Sequence, residues 1–189
     1  MDHLLSTALG ASTRRSRDLL HPPERNERNG IMSETSETTE TIGLRLQRQL
    51  AATPEEVFDA YTDAEKQKIW FSILDEEPGV VEIEVDLRVG GTQTAVWGPD
   101  RDTLFRETQT FLEIDRPNRL VTESTGSEPD GNSMTTHIVM TFEANDGGTL
   151  VTVEQTGFPT PEVRDFFETM AWVGGFDRLE VYLVRYAGA

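Results

Sequence analysis

The chain has 189 residues, no cysteine and a formal net charge of −17. That length suits one ordinary domain. No stretch approaches the roughly 18 apolar residues that span a bilayer, and the lack of cysteine excludes disulfides, thiolate nucleophiles and thiolate metal sites and fits a reducing, cytoplasmic setting.

Residues 1–42 lack hydrophobic periodicity and are rich in Ser, Thr, Glu, Arg and Asn, so they read as a disordered tail. The arginines of the opening segment follow its apolar stretch instead of preceding it, which is not the layout of a secretory signal. Met32 begins a second candidate start, and residues 1–31 then read as an upstream extension. Those 31 residues hold five arginines and four acids, net +1, so residues 32–189 carry −18. A surface this acidic repels phosphate backbones and anionic head groups, which argues against nucleic-acid and membrane-surface roles.

From residue 43 to 188 the pattern is that of a domain. Leu44 and Leu46 alternate with Arg45 and Gln47, as in a half-buried strand. Thr53-Pro54-Glu55-Glu56 carries a capping box with proline in the first helical position, and Thr62-Asp63-Ala64-Glu65 repeats a cap before a second helix ending near Trp70-Phe71. Strands are expected at Val81–Leu87, Thr92–Trp97, Phe105–Ile114, Leu120–Ser124, Met134–Phe142 and Thr149–Gln155, the last two joined by the hairpin signal Asn145-Asp146-Gly147-Gly148. Thr160-Pro161-Glu162 opens a helix to about residue 187, with an apolar stripe through Val163, Phe166, Phe167, Met170, Val173, Phe176, Leu179, Leu183 and Tyr186. Gly174-Gly175 inside it predicts a kink, a break between two helices, or a close approach to sheet or ligand. Consecutive strands with short turns imply an α+β domain with an antiparallel sheet and helices on one face.

Four segments carry a family resemblance: Thr53–Asp63, Glu113–Leu120, Gly148–Val153 with Gly157-Phe158, and Gly174–Leu179. In this order they resemble the START-like or SRPBCC superfamily, nearest to homologues of the C-terminal domain of the heat-shock protein 90 ATPase activator. The resemblance covers about residues 44–187. It implies a helix-grip fold, in which a curved antiparallel sheet of about seven strands wraps a long C-terminal helix and leaves a cavity between them. It brings no shared catalytic set. The chain has Phe71 where the family often has a second tryptophan, and Gln155 where many members have histidine.

The search for chemistry returns little. His3 and His21 lie in the tail, and alternation puts His137 on the opposite face from Ile138, Met140 and Phe142. A Ser-His-Asp or Cys-His set is not supported, and neither is a metal site or a cofactor. Taking the family's register, Gln93, Ala95, Trp97, Val151, Val153 and Gln155 turn inward beside Met140. Trp70 and Phe71 supply one cavity wall, and Phe167 and Met170 the helical wall. A mostly apolar lining with a few amides suits a small apolar ligand. The expected function is therefore non-catalytic ligand binding by Trp70, Phe71, Gln93, Trp97, Met140, Gln155, Phe167 and Met170. One alternative is a polyketide cyclase or dehydratase-like enzyme, with Glu107 as a weak acid–base candidate. Another is a protein-interaction module with a chaperone partner or a second copy of the chain.

Overall fold

The computed structural model describes residues 41–75 and 79–186. The expected tail therefore lies outside the described residues except for Thr41 and Ile42, as does the expected last helical residue, 187. Period-2 patterning yields seven strands: β1 (Gly43–Leu50), β2 (Val80–Val85), β3 (Thr92–Gly98), β4 (Phe105–Asp115), β5 (Arg119–Ser127), β6 (Ser133–Asn145) and β7 (Gly148–Thr156). They form one antiparallel sheet in the order β1-β7-β6-β5-β4-β3-β2. Short turns make β2 to β7 a meander, and β1 takes the edge beside β7. The β6–β7 hairpin turns on Asp146 (φ 47°) and Gly147 (φ 78°), the two positive φ values that match the right-handed twist of its strands.

Two helices follow β1. Thr53 caps α1 (Pro54–Thr62) and forms the expected capping box with Glu56, and the Asp63 carboxylate accepts from Glu65 N and Lys66 N to cap α2 (Ala64–Phe71). Strand β2 ends at Val85, so Leu87, expected in that strand, sits in the following turn and is 42% exposed. The chain ends in α3 (Pro161–Phe166), a π-helical turn over Phe167–Ala171, and α4 (Trp172–Tyr186).

That π turn corrects two expectations. The irregularity lies at Phe167–Ala171, ahead of Gly174-Gly175, which are both within α4. A wider turn also rotates everything after it. The buried residues of α4 are Phe176, Leu179, Tyr182 and Leu183, with Trp172 half-buried four residues before Phe176. Met170, Val173 and Tyr186, expected on the inward stripe, are 39%, 42% and 48% exposed.

One core joins the layers. Val57, Phe58 and Tyr61 of α1 pack with Phe111, Leu120, Ile138, Met140, Phe142, Val151 and Val153 from the sheet and with Phe176, Leu179 and Leu183 from α4. Phe58 and Phe142 meet edge to face, with centroids 5.4 Å apart. At the rim, Arg48 of β1 is held by Asp177 and Glu180 of α4, and Arg178 of α4 by Asp75 at 2.8 Å, so both sides of the helix are tied down.

Arg116 grips both oxygens of Asp59, at 2.8 and 2.7 Å. Hydrogen bonding by that guanidinium, reinforced by its charge, holds the Asp59 carboxyl below its ordinary pKa, with partial burial opposing. A lowered folded-state pKa stabilises the fold above the carboxyl's unfolded value, and this is lost as pH falls through the folded one. Asp59→Asn should therefore lower the thermal midpoint at pH 7 and leave it nearly unchanged at the acid end. Calorimetry of both proteins across the acid limb checks this. Equal losses at both ends would assign the effect to packing instead of charge.

Candidate functional site

The concave face of the sheet is polar where a core is normally apolar. Register puts Gln93 on β3 opposite Gln109 on β4, Gln109 opposite Ser124 on β5, Ser124 opposite Thr136 on β6, and Glu107 opposite Gly126. Their side chains are linked. Gln67 of α2 donates to Gln93 Oε1 at 3.0 Å, Thr122 donates to Gln109 Oε1 at 3.2 Å, and Gln109 Nε2 donates to Glu107 Oε1 at 3.2 Å. Ser124 Oγ donates to the same Glu107 oxygen at 2.6 Å. On the far side, Gln155 Nε2 donates to Thr136 Oγ1 at 2.9 Å, and Trp172 Nε1 donates to Gln155 Oε1 at 2.7 Å. A band of amides and hydroxyls thus runs beneath α4, and the Trp172 indole spans from helix to sheet. The Tyr61 hydroxyl lies buried under this band. Burial first, then the Glu107 charge, pushes its pKa above the ordinary value against the pull of a hydrogen bond with Gln109, so it stays a neutral phenol.

Beyond the band, toward the turn that joins β3 to β4, the surface turns aromatic. Trp70 lies 4.8 Å from Phe71, Phe71 5.7 Å from Trp97, and Trp97 is stacked at 5.9 Å on Phe105, centroid to centroid. Phe71, Trp97, Phe105, Glu107 and Met134 are all half-buried. On the helical side, Phe158 meets Phe167 at 5.3 Å, and Trp172 meets Phe176 at 5.7 Å.

Two glycines, one on the sheet and one on α4, have open space over them. Gly126 lies on the concave face between Glu107 and Met134. Gly175 lies on the same side of α4 as Trp172 and Leu179, three residues after one and four before the other. A β-carbon placed on either glycine meets no other atom within 4 Å.

Of the residues expected to line a site, Phe71, Gln93 and Trp97 gather on the β3 side, and Gln155 and Phe167 on the helical side. Trp70 and Met140 are 7% and 1% exposed and belong to the packed core, with Trp70 Nε1 donating to Ala60 O at 2.9 Å. Met170 points to solvent from the π turn. Glu107, the acid–base candidate, faces inward. Trp172, Gln67, Ser124, Thr122 and Thr136 were not singled out from the sequence. Two depressions open to solvent sit on the outside, one along α4 at Val181 and Val184, the other beside Pro117 and Phe142, and Glu107 lines neither. No helix among the described residues is long and apolar enough to cross a membrane.

A family profile described as Activator of Hsp90 ATPase homolog 1-like protein matches residues 51–184. Among solved structures, the chain is similar to an uncharacterized protein from Rhizobium leguminosarum, with 22% identity, TM-score 0.64, and 77% of this chain and 96% of that one covered. It is similar to a protein from Chromobacterium violaceum with 20% identity, TM-score 0.59, and 74% and 96% covered. It also resembles DynU16, a protein of the dynemicin biosynthetic locus, with 18% identity, TM-score 0.57, and 75% and 47% covered. At these identities the likeness is one of fold. No curated protein matches the chain.

Proposed function

The chain belongs to the family of activator of Hsp90 ATPase homolog 1-like proteins, and from that premise we propose that the space over Gly126 and Gly175 is a single cleft that holds a small, largely hydrophobic molecule. The observation that carries this reading is the pair of open glycines on facing layers. Helix interiors disfavour glycine by roughly 1 kcal/mol relative to alanine. A glycine whose β-carbon would meet nothing is not there to relieve a protein clash, and the space over it is free to take a guest. The half-buried Phe71, Trp97, Phe105, Met134 and Trp172 supply apolar area, and the amide and hydroxyl band supplies orientation.

Trp97 and Trp172 make the reading measurable. Titration with the neutral probe N-phenyl-1-naphthylamine should saturate, quench tryptophan emission and raise probe emission as the probe leaves water. A linear, unsaturable response would remove the reading.

The inward Glu107 supports a second reading, acid–base chemistry of the cyclase or dehydratase kind on the bound molecule. It separates cleanly from the first, since binding alone returns the ligand unchanged and chemistry does not.

A further inference from the structure

We infer that the cleft selects an organic cation, an ammonium carried on an aromatic or other apolar body, with Glu107 as its counter-charge. This rests on the cleft proposed above and adds the class of ligand. Glu107 Oε1 accepts from Ser124 and Gln109, two neutral donors. Among the described residues no lysine, arginine or histidine lies within ion-pair distance of its carboxylate. Arg106, its neighbour in sequence, is exposed on the other face of β4. Arg101 pairs with Glu82, and Arg178 of α4 pairs through Nη2 with Asp75 while its Nε is buried without a partner among the described residues. The second oxygen, Oε2, has no hydrogen-bond donor among the described residues and is not closed off from solvent.

A half-buried carboxylate without a cation favours a ligand that brings one, because the alternative is a charge desolvated without compensation. The surroundings fit. Gly126, directly opposite Glu107 on β5, leaves room beside the carboxylate. Phe105 follows on the same face of β4, and Trp97 pairs with Phe105. Aromatic faces attract ammonium groups through the ring quadrupole, most strongly where water is reduced. An anionic ligand beside Glu107 would meet a carboxylate that has no arginine within ion-pair distance among the described residues. The strongly negative charge of the chain adds a long-range field of the same preference.

The test uses three isosteric probes on the full chain at pH 7 by titration calorimetry: 1-naphthylmethylammonium, 1-naphthylmethanol and 1-naphthoate. The ammonium should bind roughly tenfold or more tighter than the alcohol, and naphthoate weakest. Glu107→Gln keeps an acceptor for Ser124, so it should bring the ammonium and the alcohol to similar affinities, and a cooperative thermal unfolding transition of the variant reports that it is folded. Glu123→Gln takes the same charge from the opposite face of the sheet and should leave the preference intact. Three results would overturn the inference. Equal binding of ammonium and alcohol would leave the hydrophobic cleft standing without its cation. A preference that survives Glu107→Gln would assign it to the general acidity of the surface. Failure of all three probes to bind would remove the cleft as well.

Discussion

Replacing Phe58 with alanine is expected to destabilise the fold by about 3–5 kcal/mol, a large share of the roughly 5–15 kcal/mol that holds a domain together. Phe58 is fully buried on α1, where the helix meets the sheet, and its ring is packed edge to face against Phe142 of β6. The truncation removes the transfer energy of a phenyl group, leaves a void in the buried cluster that Phe58 shares with Phe142, and forfeits an aromatic contact worth roughly 0.5–1.5 kcal/mol beyond area. Denaturant unfolding should show a lower midpoint with an unchanged slope, and the thermal midpoint should fall by roughly 10 °C. A loss below about 1 kcal/mol would mean that α1 is not a wall of this core, since that is the scale of an ordinary surface or rim change.

Gly175→Leu should separate stability from binding in opposite directions. The position is in the first turns of α4, its φ is an ordinary helical one, and a β-carbon there is in open space. Relieving the conformational freedom of glycine should stabilise α4 by up to roughly 1 kcal/mol. The same isobutyl group would stand in the proposed cleft, on the side of α4 that carries Trp172, so probe affinity should fall tenfold or more. Gly175→Ala, with one methyl, should retain the stability gain and most of the binding. Thermal unfolding and the N-phenyl-1-naphthylamine titration on the same samples read both effects. Unchanged binding in the leucine variant would place the guest elsewhere or nowhere.

The strands and caps were legible because they are local. Alternation in Val81–Val85 and Ile138–Phe142, the capping box at Thr53 and the Asp146-Gly147 turn each act over a few residues, and the structure has them all. The concave polar band was not legible for the same reason. Strand patterning assumes that one face is apolar, and in Thr122-Glu123-Ser124 or Thr135-Thr136-His137 both faces are polar, so nothing in the run says which hydroxyls are inside. Only the registers that pair Gln109 with Ser124, and Ser124 with Thr136, settle it. Trp172 was missed because the π turn shifts the helical phase. A stripe extended from Val163 at an unbroken period passes through Met170 and Val173, whereas Trp172, Phe176, Leu179 and Leu183 are in phase with one another and out of phase with α3. Spacing counted backward from Leu183 would have found the tryptophan.

Among the described residues the sheet does not close on itself: β1 and β2 are its outermost strands, and each leaves a row of backbone donors and acceptors without a strand partner there. Such margins invite other chains to add to them. Here β2 is only six residues long and carries Glu82 and Glu84 toward solvent, while β1 bears Arg45 and Arg48 along its length. A strand approaching β2 must desolvate two carboxylates, and one approaching β1 must dislodge arginines already bound to Glu154, Asp177 and Glu180. The sheet is thus guarded by charge against polymerising through its own borders.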